Sequence, residues 1–390
     1  MNLQEADKHF IHTYNRSVVF DRGEGMYLYD TEGKQYLDMG AGIAVSALGY
    51  GNEEYKQGLK EQIDKLIHIS NLYYTEPSIK AAEYFCQASG MDRVFFTNSG
   101  TEAIEGAIKL ARKYAYNKNK ESRGEIIAMQ HSFHGRSMGA LSVTGTEHYR
   151  EPFEPLIGGV SFAEYNDLES VRKLVTEDTC GIILETLQGE GGIYPASEEF
   201  ITGLRKLCDE KDILLILDEI QCGMGRTGKM FTYQQYGILP DIMTSAKALG
   251  CGVPVGAFAA VEKVAAAMCP GDHGTTYGGN PLATAAVCKV FELFEKQHIL
   301  EHVNTIAPYL TKKLNQVAQK HPDTVKEVRG MGLMQGMELT IPAKEVIDAC
   351  MEKGVVLISA GTSIIRFVPP LIVEEEHIDR MCQVLDEVLA

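Results

Sequence analysis

Two residues of opposite charge, Asp218 and Lys247, follow apolar runs that are typical of buried strands in an open α/β sheet. Asp218 ends the run 213–217, and Lys247 lies in 241–250, a strand pattern that ends in a turn of small residues. Because the carboxyl ends of parallel strands meet in one crevice of such a sheet, both side chains are expected at the same site. Pyridoxal phosphate (PLP) needs this pair, a lysine for its Schiff base and an acid that keeps its pyridine nitrogen protonated. Taken alone, the two residues are more simply explained as a surface lysine and a helix N-cap aspartate.

The composition is that of an ordinary globular protein of enzyme size. A length of 390 residues predicts two domains or more. The net charge of -16 argues against sequence-independent nucleic-acid binding. The polar N-terminus is unlike a signal peptide, and no apolar run approaches the ~18 residues of a membrane span. Nine cysteines without a Cys-x-x-Cys predict a reducing cytoplasm, and the 11 histidines show no metal-ligand spacing.

Short apolar runs alternate with helical patterns between about residues 90 and 280. This alternation predicts a largely parallel sheet with helices on both faces. The predicted strands are 94–97, 125–129, 181–185, 213–217 and 257–260, and the predicted helices are 101–116, 168–175 and 198–211.

A second, smaller α/β pattern follows. Residues 281–303 are predicted to form one long helix that leaves the large domain. The later elements are predicted as a strand over 325–339 broken by glycines, a helix over 343–353, strands over 355–359 and 364–368, and a helix over 374–389. A hairpin over 25–37 should turn at 31–33. We expect three parts, an N-terminal segment 1–45 that packs with the small domain, a large domain 46–280, and the C-terminal part 281–390.

The segment 98–101 combines a glycine turn with the start of a helix directly after a predicted strand. Free N–H groups and the positive end of the helix dipole at such a turn suit a phosphate. The alternative is an ordinary capped helix, with Ser99 or Thr101 as the cap.

Residues 223–230 contain two better-known phosphate patterns, and both are rejected. The stretch satisfies Gly-x-Gly-x-x-Gly, but no clear helical start follows it. It also approaches the nucleotide P-loop, but Met230 stands where a Ser or Thr is needed to hold magnesium.

Five segments carry the remaining motifs, in this order along the chain: 98–103, 132–136, 217–228, 244–250 and 274–281. Together they resemble the motifs of the class III (ω-amino) aminotransferases of PLP fold type I, and within that family those of the acetylornithine aminotransferases. The resemblance covers essentially the whole chain. It implies a PLP cofactor, a large domain with a mostly parallel seven-stranded sheet, a smaller α/β domain, and a homodimer in which 274–281 reaches the neighbouring site.

The resemblance also implies cofactor contacts. Lys247 would carry PLP and move the reaction's proton, and Asp218 would hold the ring nitrogen protonated. The other implied contacts are Ser99, Gly100 and Thr101 at the phosphate, Phe133 on the ring face, Glu185, Gln221 near the ring hydroxyl, and Thr276 across the dimer interface. Core packing for Phe133 and solvation for Gln221 remain alternatives. His134 is assigned to loop structure, without a catalytic role.

Arginines are expected to select the substrates, because a planar guanidinium binds a carboxylate bidentately. By resemblance, Arg136 holds the far carboxylate of the first substrate, with Tyr14 beside it, and Thr275 is a further substrate contact. Arg366 resembles the arginine that binds the α-carboxylate of glutamate. Glu190 resembles the acid that pairs with this arginine when no α-carboxylate is present.

The reaction implied is transfer of the δ-amino group of N2-acetylornithine to 2-oxoglutarate, which gives N-acetylglutamate 5-semialdehyde and glutamate in arginine biosynthesis. Succinylornithine, ornithine and 4-aminobutyrate aminotransferases, a PLP-dependent aminomutase and a non-catalytic PLP-binding regulator are the alternatives. Ile43 disfavours ornithine, because ornithine aminotransferases tend to carry tyrosine at the position aligned with it. The pair of Glu190 and Arg366 favours a two-substrate transaminase over a mutase.

Three positions depart from the family pattern. Thr186-Leu187 stands where proline and a β-branched residue are usual, Cys251 replaces a common glycine, and Tyr50 occupies the place of a frequent histidine. Because Cys251 replaces a glycine, the sequence does not predict the geometry of the turn after Lys247.

Overall fold

The computed structural model describes residues 8–122 and 124–390, so the polar N-terminal residues 1–7 lie outside it. The strands are β1 (Phe20–Glu24), β2 (Tyr27–Asp30), β3 (Gln35–Asp38), β4 (Arg93–Thr97), β5 (Glu125–Met129), β6 (Val160–Ala163), β7 (Thr179–Glu185), β8 (Leu187–Gln188), β9 (Tyr194–Pro195), β10 (Leu214–Asp218), β11 (Ile242–Ser245), β12 (Gly256–Ala260), β13 (Val325–Met331), β14 (Met334–Leu339), β15 (Val355–Val356), β16 (Ile358–Ala360) and β17 (Ile364–Phe367).

The longer helices are α1 (Glu53–Lys65), α2 (Glu76–Ser89), α3 (Gly100–Lys118), α4 (Leu168–Leu174), α5 (Glu198–Lys211), α6 (Pro281–Lys296), α7 (Ile299–Lys320), α8 (Ala343–Glu352) and α9 (Glu375–Leu389). Short helical turns occur at Ala41–Ala44, Met138–Ser142, Glu147–Arg150, Glu151–Phe153, Thr232–Tyr236, Lys247–Leu249 and Glu262–Ala265. In the described part of the chain, no helix has both the length and the apolar character that crossing a membrane requires.

The central sheet has seven strands in the order β4-β12-β11-β10-β7-β5-β6. Its pairs are parallel except at β12, which runs antiparallel to both of its neighbours. Strands β7 and β10 are buried along their whole length, which is why their sequences are nearly continuous apolar runs. The predicted α/β architecture with a mostly parallel seven-stranded sheet is therefore confirmed, although β6 was not predicted.

The N-terminal strands join the C-terminal part of the chain. β2 and β3 form the predicted hairpin, and β3 pairs in parallel with β15. The predicted strand over 355–359 is in fact two, because β15 belongs to this sheet whereas β16 pairs with β17. β17 carries Arg366 in a sheet of order β13-β14-β17-β16.

The single helix predicted over 281–303 is wrong. Helix α6 ends at Lys296 and α7 begins at Ile299, with His298 between them in the left-handed region at φ 51°. A left-handed residue cannot continue a right-handed helix, so the chain changes direction there. Both halves have apolar faces of helical period, and therefore the pattern alone showed no break.

The glycine-rich stretch 223–230 serves packing between chain segments. Only the short turn Thr232–Tyr236 follows it, in agreement with the rejection of a dinucleotide fingerprint. Within it, the Arg226 side chain is buried and donates hydrogen bonds to the carbonyl oxygens of Leu333 and Pro369. The stretch thus connects the segment after β10 to the residues that flank β14 and β17.

Candidate active site

The carboxyl ends of β7, β10 and β11 open onto a cavity of about 400 Å³. Asp218 is the last residue of β10 and pairs in register with Glu185, the last residue of β7. Most of the predicted site residues line this cavity, namely Ser99, Gly100, Thr101, Phe133, Arg136, Glu185, Asp218, Gln221 and Lys247. The expectation that Asp218 and Lys247 share one crevice is correct.

The start of α3 forms one wall of this cavity. Ser99 caps the helix by accepting a hydrogen bond from the N–H of Glu102 at 3.3 Å. Among the described residues, none accepts a hydrogen bond from the N–H of Gly100 or Thr101. A Cβ at Gly100 would lie 2.9 Å from the Ile220 side chain, so glycine allows the turn to pack closely beside β10. Free N–H groups at a helix start form a suitable site for a phosphate.

Asp218 is buried and held by three donors. Its Oδ1 accepts from the N–H of Ile220 at 2.9 Å and from the Thr244 hydroxyl at 3.3 Å, and its Oδ2 lies 2.7 Å from Nδ1 of His134. Burial alone would lower the pKa of His134, but the hydrogen bond and charge of Asp218 outweigh burial and raise it. The raised pKa of His134 favours its protonated form, in which Nδ1 donates to the Asp218 carboxylate.

His134 is a site residue that the sequence did not predict. Its neighbour Phe133 was identified, but His134 was assigned to loop structure. The two groups that interact, His134 and Asp218, are 84 positions apart along the chain. Only the fold brings them together, and the one available signal was the adjacency of a histidine to a residue already implicated.

Lys247 begins the short turn that follows β11. Burial, together with the nearby Arg366 guanidinium, lowers the pKa of its amine to about 8. Its backbone has φ 49°, in the left-handed region that is strained for a residue with a side chain. An amine with a lowered pKa is neutral in a larger fraction of molecules, which makes it a better nucleophile.

Glu185 joins two loops at the cavity. One oxygen accepts from the N–H of Phe133 and the other from the N–H of Gly189, each at 3.1 Å. Burial raises the pKa of Glu185 to about 7, and the nearby His134 charge opposes this effect. Glu185 therefore positions the ring of Phe133 and the loop that carries Glu190.

Arg136 lies at the exposed edge of the cavity. Its guanidinium stacks over the ring of Tyr149 at 3.9 Å, and it lies 5.2 Å from the ring centre of Phe133. Tyr149 meets Phe133 edge to face at 5.9 Å. Stacking on an aromatic face leaves the edge of a guanidinium free for a carboxylate. Tyr149 was not predicted from the sequence.

Arg366 forms the ion pair that the resemblance implied. Its Nη1 donates to Oε1 of Glu190 at 2.6 Å and to Oε1 of Gln221 at 2.8 Å, and its Nη2 donates to the carbonyl of Ser359 at 2.9 Å. The Arg366 side chain is only 3% exposed, against 22% for Glu190. The Gln221 oxygen is thus occupied, and its amide N–H₂ is the group left to face the cavity.

Five predicted residues do not line this cavity: Glu190 and Arg366, described above, and Tyr14, Thr275 and Thr276. Tyr14 is 69% exposed and lines a larger neighbouring cavity, in which it accompanies Arg366 instead of Arg136. Thr275 accepts a hydrogen bond from Nδ2 of Asn98 at 3.3 Å, and Thr276 is exposed. Within one subunit, therefore, the 274–281 loop meets the phosphate segment 98–101 through the bond between Thr275 and Asn98, while Thr276 is left exposed.

The three departures from the family pattern have local explanations. The Thr186 hydroxyl donates to buried Glu219 at 2.7 Å, and the Tyr50 hydroxyl donates to Asp38 at 2.5 Å. Cys251 has φ 44°, in the left-handed region that favours glycine, which accounts for the usual glycine there. Its sulfur accepts a hydrogen bond from the N–H of Leu48 at 3.4 Å.

The chemistry of the cavity fits PLP. A lysine of lowered pKa can react with an aldehyde, a buried carboxylate can bind a protonated ring nitrogen, and the free N–H groups of Gly100 and Thr101 can bind a phosphate.

Comparison with known proteins agrees with this assignment. The family profile "aminotransferase class-III" matches residues 11–389. An acetylornithine aminotransferase of Clostridium acetobutylicum is 47% identical over 384 residues, 98% of this chain and 99% of that protein. One of Methanocaldococcus jannaschii is 45% identical over 98% of this chain and 96% of the relative.

Solved structures agree as well. The ornithine aminotransferase of Toxoplasma gondii matches with a TM-score of 0.95 and 26% identity, covering 99% of this chain and 94% of that one. The N-acetylornithine aminotransferase of Stenotrophomonas maltophilia matches with a TM-score of 0.84 and 35% identity, covering 97% and 96%. The chain belongs to the class III aminotransferases and is a PLP-dependent transaminase.

Proposed function

We propose that this transaminase moves the δ-amino group of N2-acetylornithine to 2-oxoglutarate, which gives N-acetylglutamate 5-semialdehyde and glutamate. The observation that carries the proposal is the contrast between two arginines near Lys247. Arg136 is exposed and stacked on an aromatic ring, whereas Arg366 is buried and already paired with Glu190. Relatives that are 44–47% identical over nearly the full chain and are named acetylornithine aminotransferase support the same substrate.

PLP, when bound, accepts the electron pair of the C–H bond that breaks next to the amino group. Lys247 would hold the cofactor through Nζ, and its amine, when free, would take the proton from the reacting carbon. Asp218 would bind the protonated ring nitrogen, and the 2.7 Å hydrogen bond to His134 holds the Asp218 carboxylate in place. The N–H groups of Gly100 and Thr101 bind the phosphate.

The two arginines serve the two amino donors differently. Acetylornithine presents a δ-amine, so its carboxylate lies far from the reacting carbon, and Arg136 binds it. Glutamate reacts at its α-carbon and brings an α-carboxylate to Arg366, where it must displace Glu190. With acetylornithine bound, Glu190 neutralises Arg366, because a buried guanidinium without a partner would be costly.

A homodimer with shared sites is part of the proposal. Segment 66–74 presents apolar side chains to solvent, with Leu72 84% and Tyr74 90% exposed. Asn71 donates to the carbonyl of Gly278 at 2.8 Å, so this segment lies against the 274–281 loop, where Tyr277 is 63% exposed. Contiguous exposed apolar residues are typical of a protein interface. Burying this patch against a second copy would bring Thr276 toward the partner's phosphate wall.

The place of the enzyme in the cell is proposed as the cytoplasm, in arginine biosynthesis. Its nine cysteines are free thiols, and six of them are buried. Reduced thiols of this kind are typical of a reducing compartment.

The experiment that tests the substrate is a comparison of kcat/KM with four amino donors, acetylornithine, succinylornithine, ornithine and 4-aminobutyrate, each with 2-oxoglutarate. Acetylornithine should exceed ornithine and 4-aminobutyrate by at least about tenfold, which corresponds to ~1.4 kcal/mol of transition-state binding. A higher value with ornithine would replace the proposal with the function named for the Toxoplasma gondii structure.

A further inference from the structure

Three residues of the C-terminal sheet lie in one row across adjacent strands. Arg329 on β13 pairs with Gly336 on β14, and Gly336 pairs with Arg366 on β17. Directly opposed residues of neighbouring strands point to the same face of a sheet. The two guanidinium groups therefore flank a position that has no side chain.

The residues 189–194, here named the Glu190 loop, lie over this row. Arg366 binds the carboxylate of Glu190 at 2.6 Å, and Nε of Arg329 donates to the carbonyl of Gly192 at 2.8 Å. The Arg329 guanidinium also lies over the Tyr194 ring at 4.0 Å. Both ends of the loop are thus held by arginines of the same strand row.

The middle of the loop fits the gap between the arginines. A Cβ at Gly336 would lie 2.9 Å from Cβ of Ile193, so only glycine leaves room for this side chain. Ile193 is fully buried and has φ 60°. A β-branched residue in the left-handed region is strained, so its contacts, and not its own preference, hold this conformation.

Arg329 is itself rigidly placed. Its Nη1 donates to Glu327 at 2.7 Å and to Glu338 at 2.8 Å, and its side chain is 8% exposed. A fixed guanidinium can hold the Gly192 carbonyl at a constant distance from β17.

We propose that Arg329 is a positioning residue that holds the Glu190 loop over Arg366, and so sets how readily the α-carboxylate of glutamate displaces Glu190. This inference rests on the proposed function, because it concerns the exchange between the two amino donors. Arg329 lines neither the cavity at Lys247 nor the neighbouring cavity that Arg366 lines. It acts through the backbone of Gly192.

The test compares Arg329→Met with Glu327→Gln, which removes only an exposed partner of Arg329. The first readout is the half-reaction ratio, the single-turnover rate of cofactor conversion in the holoenzyme with glutamate divided by that with acetylornithine. Arg329→Met should raise this ratio by roughly threefold to tenfold, because the net loss of one typical hydrogen bond shifts a population by about that factor. Glu327→Gln should leave it unchanged. In a Glu190→Ala background, Arg329→Met should add nothing.

The second readout is hydrogen–deuterium exchange of the peptide that contains residues 189–194. Exchange should accelerate in Arg329→Met but not in Glu327→Gln. Gly336→Ala should act in the same direction, because its methyl group would push Ile193 outward. If Arg329→Met fails to fold, two other variants take its place in both measurements. Arg329→Lys keeps the charge but loses the Nε donor, and Gly336→Ala leaves Arg329 intact.

The proposal is overturned if the folded Arg329 and Gly336 variants keep the wild-type half-reaction ratio while Glu190→Ala changes it. It is also overturned if Arg329→Met changes the ratio equally in the wild-type and the Glu190→Ala backgrounds. If Glu190→Ala itself leaves the half-reaction ratio unchanged, the proposed displacement of Glu190 by the α-carboxylate is contradicted. In that case the hydrogen–deuterium exchange of residues 189–194 alone decides whether Arg329 positions the Glu190 loop. An exchange rate that Arg329→Met leaves unchanged overturns that role.

Discussion

At the scale of single residues, the chemistry depends on how burial changes ionisation. Lys247 is useful as a nucleophile only when neutral, and burial with the Arg366 charge lowers its pKa from 10.5 to about 8. Asp218 acts through its carboxylate, which accepts hydrogen bonds from Ile220 and Thr244 and contacts His134, whose pKa is raised by that contact. The same cavity therefore shifts Lys247 toward its neutral form and His134 toward its charged form.

The lowered pKa of Lys247 predicts how PLP attaches to cofactor-free protein. Since only the neutral amine attacks the aldehyde, the attachment rate should rise with pH and reach half its maximum at about pH 8. Between pH 7 and pH 9 the increase should be about tenfold, following the neutral fraction of the amine. Borohydride reduction and peptide mapping at each pH would identify the lysine that reacted.

Pyridoxamine phosphate, which cannot attach covalently, is the control for effects of pH on the cavity itself. A midpoint near the ordinary lysine value of 10.5, or modification of another lysine, would contradict the assignment of Lys247.

The sequence predicts those site residues that carry a local signal. Asp218 ends an apolar strand, and Gly100 opens a helix, so both could be identified from neighbours in the chain. Tyr149 and Arg329 could not, because their partners Arg136 and Gly192 are brought to them by tertiary packing. The residues next to Tyr149 and Arg329 in the sequence do not indicate a functional role for either.

At the scale of elements, fully buried parallel strands and capped helices were predicted well, because their patterns depend on local burial. Helix α5 and strand β5 have the predicted bounds. The break between α6 and α7 was missed because its left-handed residue is His298, and no glycine or proline at that position indicates a helix end. The short strands β8 and β9 were also missed, since two-residue strands have no periodicity.

Thr186, which departs from the family pattern, is expected to stabilise the fold through its hydrogen bond to Glu219, to an extent that depends on pH. Burial raises the pKa of Glu219 to about 7, and the Thr186 hydroxyl opposes this shift by donating to the carboxylate. Thr186→Val should therefore cost ~1–3 kcal/mol above pH 7, where Glu219 is charged, and less as the pH falls through that value. Urea unfolding at pH 6 and pH 8 measures the difference.

Thr186→Ser keeps the hydroxyl and is the matched control for this measurement. Equal destabilisation by Thr186→Val at both pH values would contradict the role assigned to the hydrogen bond.

At the scale of the whole molecule, the exposed Thr276 and the apolar segment 66–74 predict sites shared between subunits. A Lys247→Ala subunit paired with a Thr276→Ala subunit should form one intact site and one doubly defective site. Random exchange should restore about a quarter of wild-type activity, because half of the dimers are mixed and each has one good site. Activity no higher than that of the parents, with mixed dimers demonstrated by mass spectrometry, would contradict shared sites.

The central claim is that one active site serves two amino donors by exchanging Glu190 for an α-carboxylate on Arg366. The half-reaction ratio of Glu190→Ala tests it most directly, with Glu190→Gln as the control that keeps size but removes charge. Opening the pair costs roughly 1–3 kcal/mol, so its loss should shift the ratio toward glutamate by about tenfold for each ~1.4 kcal/mol. Glu190→Gln should shift it less. A ratio that stays at the wild-type value, or that moves toward acetylornithine, would contradict the account.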